Sequence, residues 1–335
     1  MAACKCAKMP LSIFKRMGQT PRNVLTDKIC EFSGLALLNK PAGFSSAQFL
    51  TIAKRTFGVK KAGHCGTLDP LAEGLLICCL NQATRLSTFL LPGGKTYAVM
   101  LKLGSATDTQ DTEGTVVNEA PVPAFTYDEL VAVLASFTGE IQQVPPAYSA
   151  LKHEGVPLYK LARKGKAVVK PARTVTIESI TINTVDLPYV GFTVTCSAGT
   201  YVRTLCHDIG LKLGCFGHMT GLKRTATCGL SLEDALTLDE IRQLDRNQPI
   251  PLKGFIPMRE ALPEVTKLTA EPGLVEKLSY GRLLYARDFA ALQNADLQPN
   301  TIFCVLDEAG ELQAIVEFTA MDAPLRQCAV FCAQN

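Results

Sequence analysis

Tryptophan is absent from the 335 residues, and charged side chains make up only 19% of them. No apolar run approaches the roughly 20 residues that a membrane-spanning helix needs. The longest, GLLICCL at 74–80, has the length of a strand. The glycine signatures of nucleotide binding are missing too: there is no G-x-G-x-x-G and no P-loop. Cysteine is plentiful, at thirteen residues, but its ordered patterns are lacking. The close pairs are Cys4/Cys6, Cys78/Cys79 and Cys328/Cys332. None is a C-x-x-C, and no second pair stands at zinc spacing. No secretory leader is read, and disulfide scaffolds are much shorter chains. The thiols are therefore expected to be reduced, with no metal. A hydrophobic content of 47% excludes a disordered chain and is ample for a large core.

The net charge of +3 hides an asymmetry. Residues 255–335 carry six Lys and Arg against eleven Asp and Glu, a balance of −5, which leaves +8 for the rest. Any surface for a polyanion is expected in the longer N-terminal part. Residues 1–33 hold Lys5, Lys8, Lys15, Arg16, Arg22 and Lys28 against Asp27 and Glu31, with little periodicity. They read as a flexible basic extension; an organelle transit peptide is the alternative.

From residue 34 onward strands alternate with helices, without a strict βαβ repeat. GLALLNK reads as a strand, SSAQFLTIAKRTF as a helix with a serine start, and GLLICCL as a buried strand. TYDELVAVLASFTG (126–139) is the clearest helix, with Thr126 and Glu129 as a capping box and Gly139 as the stop. TVTIESITINTV and VGFTVTCS read as antiparallel strands. The expected class is α+β, with a largely antiparallel sheet flanked by helices over 34–254. After NQPIPLKGFIPM, short strands with turns between them predict a small β-barrel-like module over 255–335.

Two motifs invite a chemical reading. GHCGTLDP (63–70) sets one carboxylate, Asp69, before a proline and five residues after His64. No second acid lies in the motif, so neither an acid/base pair nor a metal cluster is evident. A lone Asp can equally cap a turn. CSAGTYVRTL (196–205) runs from a strand into a helix start bearing Tyr201 and Arg203. An arginine against a carboxylate keeps it ionised and aims it, and an aimed carboxylate can be a nucleophile. A third stretch, 152–173, holds Lys152, Lys160, Arg163, Lys164, Lys166, Lys170 and Arg173 against Glu154 alone, with Tyr148 and Tyr159 in or beside it. Such a run is either a solvated face or a nucleic-acid backbone tract.

The ordered blocks NKPAGFSS, GHCGTLDPLAEGLL, KTYAVMLKLGSATDTQDTEG, FTGEIQQVPPAYSALKHEGVPLYKLARKG, CSAGTYVRTLCHDIG and GLKRTATCG resemble the TruB family of tRNA pseudouridine-55 synthases. The resemblance covers about residues 34–230, and the tail looks like the family's PUA-type domain. It implies the pseudouridine synthase fold, with Asp69 as the nucleophile that isomerises uridine in the T loop of tRNA. It further implies that His64 fills the space vacated in the RNA loop and that Tyr97 stacks on the flipped base. Tyr201 then packs against the base and assists proton loss from C5, Arg203 pairs with Asp69, and the backbone at Leu222 contacts the base. Lys40, Lys152, Lys160, Arg163 and Lys164 are expected on the RNA backbone. No cofactor, membrane or obligate protein partner is implied, and a cytoplasmic monomer is expected. Departures from the family pattern are Asn39, Cys65, Glu73, Ala198 and Lys223. Two other readings compete: a non-catalytic RNA-binding protein, and a synthase acting on guide-selected or messenger RNA.

Overall fold

The computed structural model describes residues 28–331, apart from 150, 163, 167, 169, 252, 293 and 294. Nine strands of the larger sheet are labelled here: β1 (Gly34–Lys40), β2 (Ala62–Cys65), β3 (Glu73–Leu80), β4 (Lys95–Leu103), β5 (Gly139–Gln143), β6 (Arg173–Asp186), β7 (Tyr189–Cys196), β8 (Gly217–Thr227) and β9 (Phe255–Pro257). They run in the order β9-β1-β3-β8-β4-β7-β6-β5, with β2 paired to β3 at one end. Every pairing is antiparallel except β3 with β8. This is the mixed, largely antiparallel sheet expected.

Burial patterns explain why the strands read so differently. β4 alternates strictly between buried and half-buried residues. Tyr97, Val99, Leu101 and Leu103 point into a core shared with Val190, Phe192 and Val194 of β7. That core is covered by the helix Val202–Lys212 through Val202, Leu205, Cys206 and Ile209. By contrast, β3 is buried over seven of its eight residues. It has no polar face because it divides its side chains between two cores. Leu75, Ile77 and Cys79 enter one, while Leu76, Cys78 and Leu80 enter another beside Phe49, Ala53 and Phe57 of the helix Ser46–Phe57.

The first of those cores also takes in Cys304, Leu312, Ile315 and Phe331 from the C-terminal part of the chain. That part forms a four-stranded sheet of Thr266–Thr269, Ile302–Leu306, Leu312–Glu317 and Arg326–Val330. Its first pairing is parallel and the others antiparallel, and no pairing among the described residues closes it into a barrel. It stacks on the large sheet through apolar side chains.

Three segments differ from the sequence expectation. Residues 28–33, assigned to the flexible extension, contribute Ile29 and Phe32 to the core at 1% and 3% exposure. Residues 1–27 lie outside the described ones. β9, assigned to the second module, is a strand of the large sheet against β1. The helix Tyr127–Ala135 has the predicted Thr126–Glu129 capping box, yet it ends before Gly139, which instead opens β5 with φ +96°.

One glycine is required by the crossing of β3 and β8. Gly74 has φ +101°, and a Cβ placed there would lie 2.3 Å from the Arg224 carbonyl oxygen. Backbone cannot swing aside as a side chain can. Gly74→Ala is expected to cost about 3 kcal/mol, from the positive φ and the overpacking together. Denaturant unfolding of the purified variant checks this, and a midpoint equal to wild type would refute it.

Candidate active site

Asp69 sits in the loop between β2 and β3, and that loop is tied down on almost every side. Arg224 of β8 is fully buried and donates from Nε to the Leu75 carbonyl at 2.7 Å and from Nη2 to the Gly66 carbonyl at 3.1 Å. Ser46 Oγ accepts from the Leu68 N–H at 2.8 Å and donates to the Leu68 carbonyl at 3.0 Å. Gly43 N–H donates to the Pro70 carbonyl at 2.8 Å. Lys40 Nζ reaches the carbonyls of Phe44 at 2.6 Å, Pro41 at 2.9 Å and Pro70 at 3.3 Å. Its burial lowers the ammonium pKa to about 8, the nearby carboxylates Glu73 and Asp69 opposing that fall.

This corrects one expectation: Lys40 is not on the RNA backbone. Its exposure is 0%, and its charge is spent on main-chain carbonyls.

The loop presents Asp69 with a side chain 35% exposed, 2.9 Å from Arg203 Nε. Arg203, in the first turn of its helix, is 4% exposed. Its Nη1 donates to the Thr109 carbonyl at 2.9 Å and lies 3.3 Å from Asp111 Oδ2, while Nη2 donates to the Tyr148 carbonyl at 2.9 Å. The Asp69 contact is an ion pair between a buried guanidinium and a partly open carboxylate. Asp111 is fixed in turn by Thr109 Oγ1 at 2.6 Å and the Glu113 N–H at 3.0 Å. One guanidinium thus serves two carboxylates. Burial raises the Asp69 carboxyl above its ordinary pKa; Arg203 pulls it down, and Asp111 pushes it up.

The remaining candidates are distributed around this pair. Tyr97 on β4 is 7% exposed and stands opposite Arg224 in the β4–β8 register. Burial raises its phenol pKa, so the hydroxyl stays protonated at neutral pH. Leu222 lies on the same strand as Arg224, partly buried against the Tyr97 core. His64 on β2 is half-buried with an unpartnered Nδ1, and burial followed by the Arg224 charge lowers its pKa, favouring the neutral ring. Tyr201 is the N-cap residue of the helix that carries Arg203.

The basic tract is only partly gathered. Lys160 lies on the short helix Leu158–Ala162 and Lys164 just beyond it, both exposed. Lys152 opens a two-residue strand, and Arg163 lies outside the described residues.

Three buried polar residues at the site were not singled out from sequence: Asp111, Arg224 and Gln143. Asp111 stands in a polar turn, Arg224 follows a second basic residue, and Gln143 follows another glutamine; their spacing alone does not mark them. Among the described residues no cluster of three or more His, Cys, Asp or Glu could hold a metal, and no helix is long and apolar enough to cross a membrane.

Comparison with known proteins places this geometry. Residues 54–202 match the TruB family pseudouridylate synthase N-terminal domain, and residues 203–262 match the tRNA pseudouridylate synthase B C-terminal domain. The tRNA pseudouridine synthase B of Cupriavidus metallidurans is 52% identical over 219 residues, covering 64% of this chain and 69% of the relative. The protein of the same name from Syntrophotalea carbinolica is 42% identical over 249 residues, covering 74% and 81%. Among solved structures, a chain of a Cbf5-Nop10-Gar1 complex superposes with a TM-score of 0.66 at 25% identity, covering 93% of this chain and 91% of that one. A chain of an H/ACA RNP bound to a substrate RNA superposes at 0.68 and 24% identity, covering 92% and 87%, and shares the fold. A buried arginine aiming one partly exposed aspartate, on this sheet and within these matched domains, places the chain in the TruB family of pseudouridylate synthases.

Proposed function

We propose that the protein converts uridine-55 in the T loop of tRNA to pseudouridine, with Asp69 as the nucleophile. The observation that carries this reading is the Asp69–Arg203 pair: the partly open carboxylate is aimed by a buried guanidinium at 2.9 Å. The names of the similar bacterial proteins supply the substrate class. The reaction is an isomerisation, so atoms balance without a co-substrate. The carboxylate attacks the nucleoside and forms a bond to it, the bond from ribose C1′ to N1 breaks, the uracil turns, C5 bonds to C1′, and the bond to Asp69 breaks to return the free carboxylate. C5 loses a proton and N1 gains one.

The target base must leave its loop to reach Asp69, so something has to replace its stacking. Tyr97 supplies an aromatic face beside the carboxylate, and the neutral His64 ring suits the space that the base vacates. Tyr201 stands against the base beside Arg203. Leu222 contributes a backbone edge. Lys152, Lys160, Arg163 and Lys164 extend the footprint along the RNA backbone. The reaction needs no protein partner, and the protein acts as a monomer where tRNA matures, in the cytoplasm. Pseudouridine mapping after incubation with unmodified tRNA tests the reading; uridine left intact at position 55 would sink it.

Asp69→Asn keeps the size of the side chain and removes the nucleophile. Pseudouridine formation should vanish while tRNA affinity stays near wild type, since affinity rests on shape and phosphate contacts. Turnover close to wild type would eliminate Asp69.

The pH dependence has a defined sign. Asp69 must be ionised to attack, and its raised pKa makes activity fail on acidification sooner than for an ordinary carboxylate. Asp111→Asn removes one of the charges that push Asp69 up, while Arg203 keeps its two carbonyl acceptors. The acid limb of the single-turnover rate should therefore move to lower pH. A limb that stays put, or moves up, would disprove the coupling.

Replacing Lys160, Arg163 and Lys164 together with Ala should weaken tRNA binding and flatten its salt dependence, by roughly 0.7–0.9 in log–log slope for each phosphate no longer neutralised. Rates at saturating RNA should change less. Filter binding over a salt series measures this, and an unchanged slope would return the tract to the class of solvated faces.

A further inference from the structure

Gln143 and Arg173 stand opposite each other across the β5–β6 ladder, outside the Asp69–Arg203 pair. Both act on Tyr201. Gln143 is 1% exposed, and its amide is used twice on that one residue. Oε1 accepts from the Tyr201 N–H at 2.8 Å, and Nε2 donates to the Tyr201 carbonyl at 3.1 Å. A hydroxyl or carboxylate cap at a helix start satisfies N–H groups only. The primary amide also holds the carbonyl, and so fixes the peptide planes on both sides of the Tyr201 Cα.

Arg173 acts on the ring. Its guanidinium carbon lies 4.9 Å from the Tyr201 ring centroid, and Nη2 donates to the Gly199 carbonyl. Gly199 has φ +89°, a conformation that favours glycine, and a Cβ there would be in ordinary contact with the Arg173 guanidinium at 3.4 Å. Backbone and ring of one tyrosine are thus held by two neighbours on adjacent strands.

We infer that Gln143 and Arg173 are a positioning pair for Tyr201. Gln143 sets the helix start, and with it the direction from which Arg203 approaches Asp69 two residues later in the chain. Arg173 sets the plane of the ring against the substrate base. The inference rests on the uridine-isomerising reading and assigns that site two further residues. Gln143 cannot act by touching RNA, because it is buried.

The test compares wild type with Gln143→Met, Gln143→Glu, Arg173→Met and Arg173→Lys in single-turnover pseudouridine formation, alongside tRNA affinity. Gln143→Met loses both hydrogen bonds, and its rate at saturating RNA should fall roughly tenfold or more, the scale of a misplaced reacting group, with affinity little changed. Gln143→Glu gives the sharper readout. A protonated glutamic acid can still accept and donate as the amide does, whereas an ionised one cannot donate and sets a charge against a carbonyl. Burial raises the pKa of such a carboxyl. Its rate relative to wild type should therefore rise as the pH is lowered, a trend that general loss of stability does not produce. Arg173→Lys keeps the charge without the stacking plane and should behave like Arg173→Met.

A pH-independent ratio for Gln143→Glu would overturn the role of Gln143. Weaker binding with a normal saturating rate in the Arg173 variants would make Arg173 a phosphate contact instead. Amide exchange at Tyr201, faster in Gln143→Met than in wild type, reads the clamp without activity, and unchanged exchange overturns it. If wild type makes no pseudouridine from tRNA, the isomerase reading fails, and the exchange result still decides the clamp.

Discussion

The site depends on what one guanidinium can reach. Arg203 is almost wholly buried, and it lies against two carboxylates and two main-chain carbonyls contributed by three separate stretches of chain. Removing an arginine from water costs several kcal/mol unless its donors are met. Here the carbonyls of Thr109 and Tyr148 take the terminal nitrogens, and the charge is divided between Asp69 and Asp111. A lysine ammonium gathers its three donors at one atom, whereas the planar fork spreads its donors over three nitrogens and so reaches all of these partners at once. The helix start, the 107–113 turn and the 143–149 stretch are therefore in register with one another because they share this side chain.

The loop that bears Asp69 shows the complementary economy. Lys40 and Arg224 are buried cations that hydrogen-bond main-chain carbonyls rather than carboxylates. Charged donors to carbonyls are strong bonds, and they hold the main chain without drawing on the Asp69 carboxylate. With the carbonyls of Gly66, Leu68, Pro70 and Leu75 each engaged, the main chain has little freedom left. The carboxylate remains the partly open element, held by Arg203. A fixed frame with a partly desolvated carboxylate is the arrangement that the proposed role of Asp69 requires.

Much of this frame was legible in the chain itself. The alternation of β4 and the unbroken apolar run of β3 identify a strand facing one core and a strand shared by two. The capping box at Thr126 was readable because its partners are local in sequence. What could not be read is long-range. Nothing local brings residue 203 to residue 69, so the pair came from family resemblance and then from geometry. Lys40 was expected on the RNA backbone, and nothing local in the sequence shows that its ammonium is buried against main-chain carbonyls. Of the adjacent Lys223 and Arg224, strand alternation says that one turns inward, but register against β4 decides which. Gln142 and Gln143 pose the same ambiguity, and there it concealed the residue that holds Tyr201.

The acidic C-terminal sheet acquires a role from the same logic. Its charge is unsuited to gripping a polyanion, but its buried face is apolar. Cys304, Leu312, Ile315 and Phe331 cover the side of β1 and β3 that shows Leu35, Leu37, Leu75 and Ile77. Without that cover two central strands would expose a continuous apolar surface, at roughly 25 cal/mol for each Å² returned to water. These strands hold both ends of the machinery around Asp69: β1 ends in Lys40, and β3 begins where Arg224 binds the Leu75 carbonyl. The module therefore supports the site from behind.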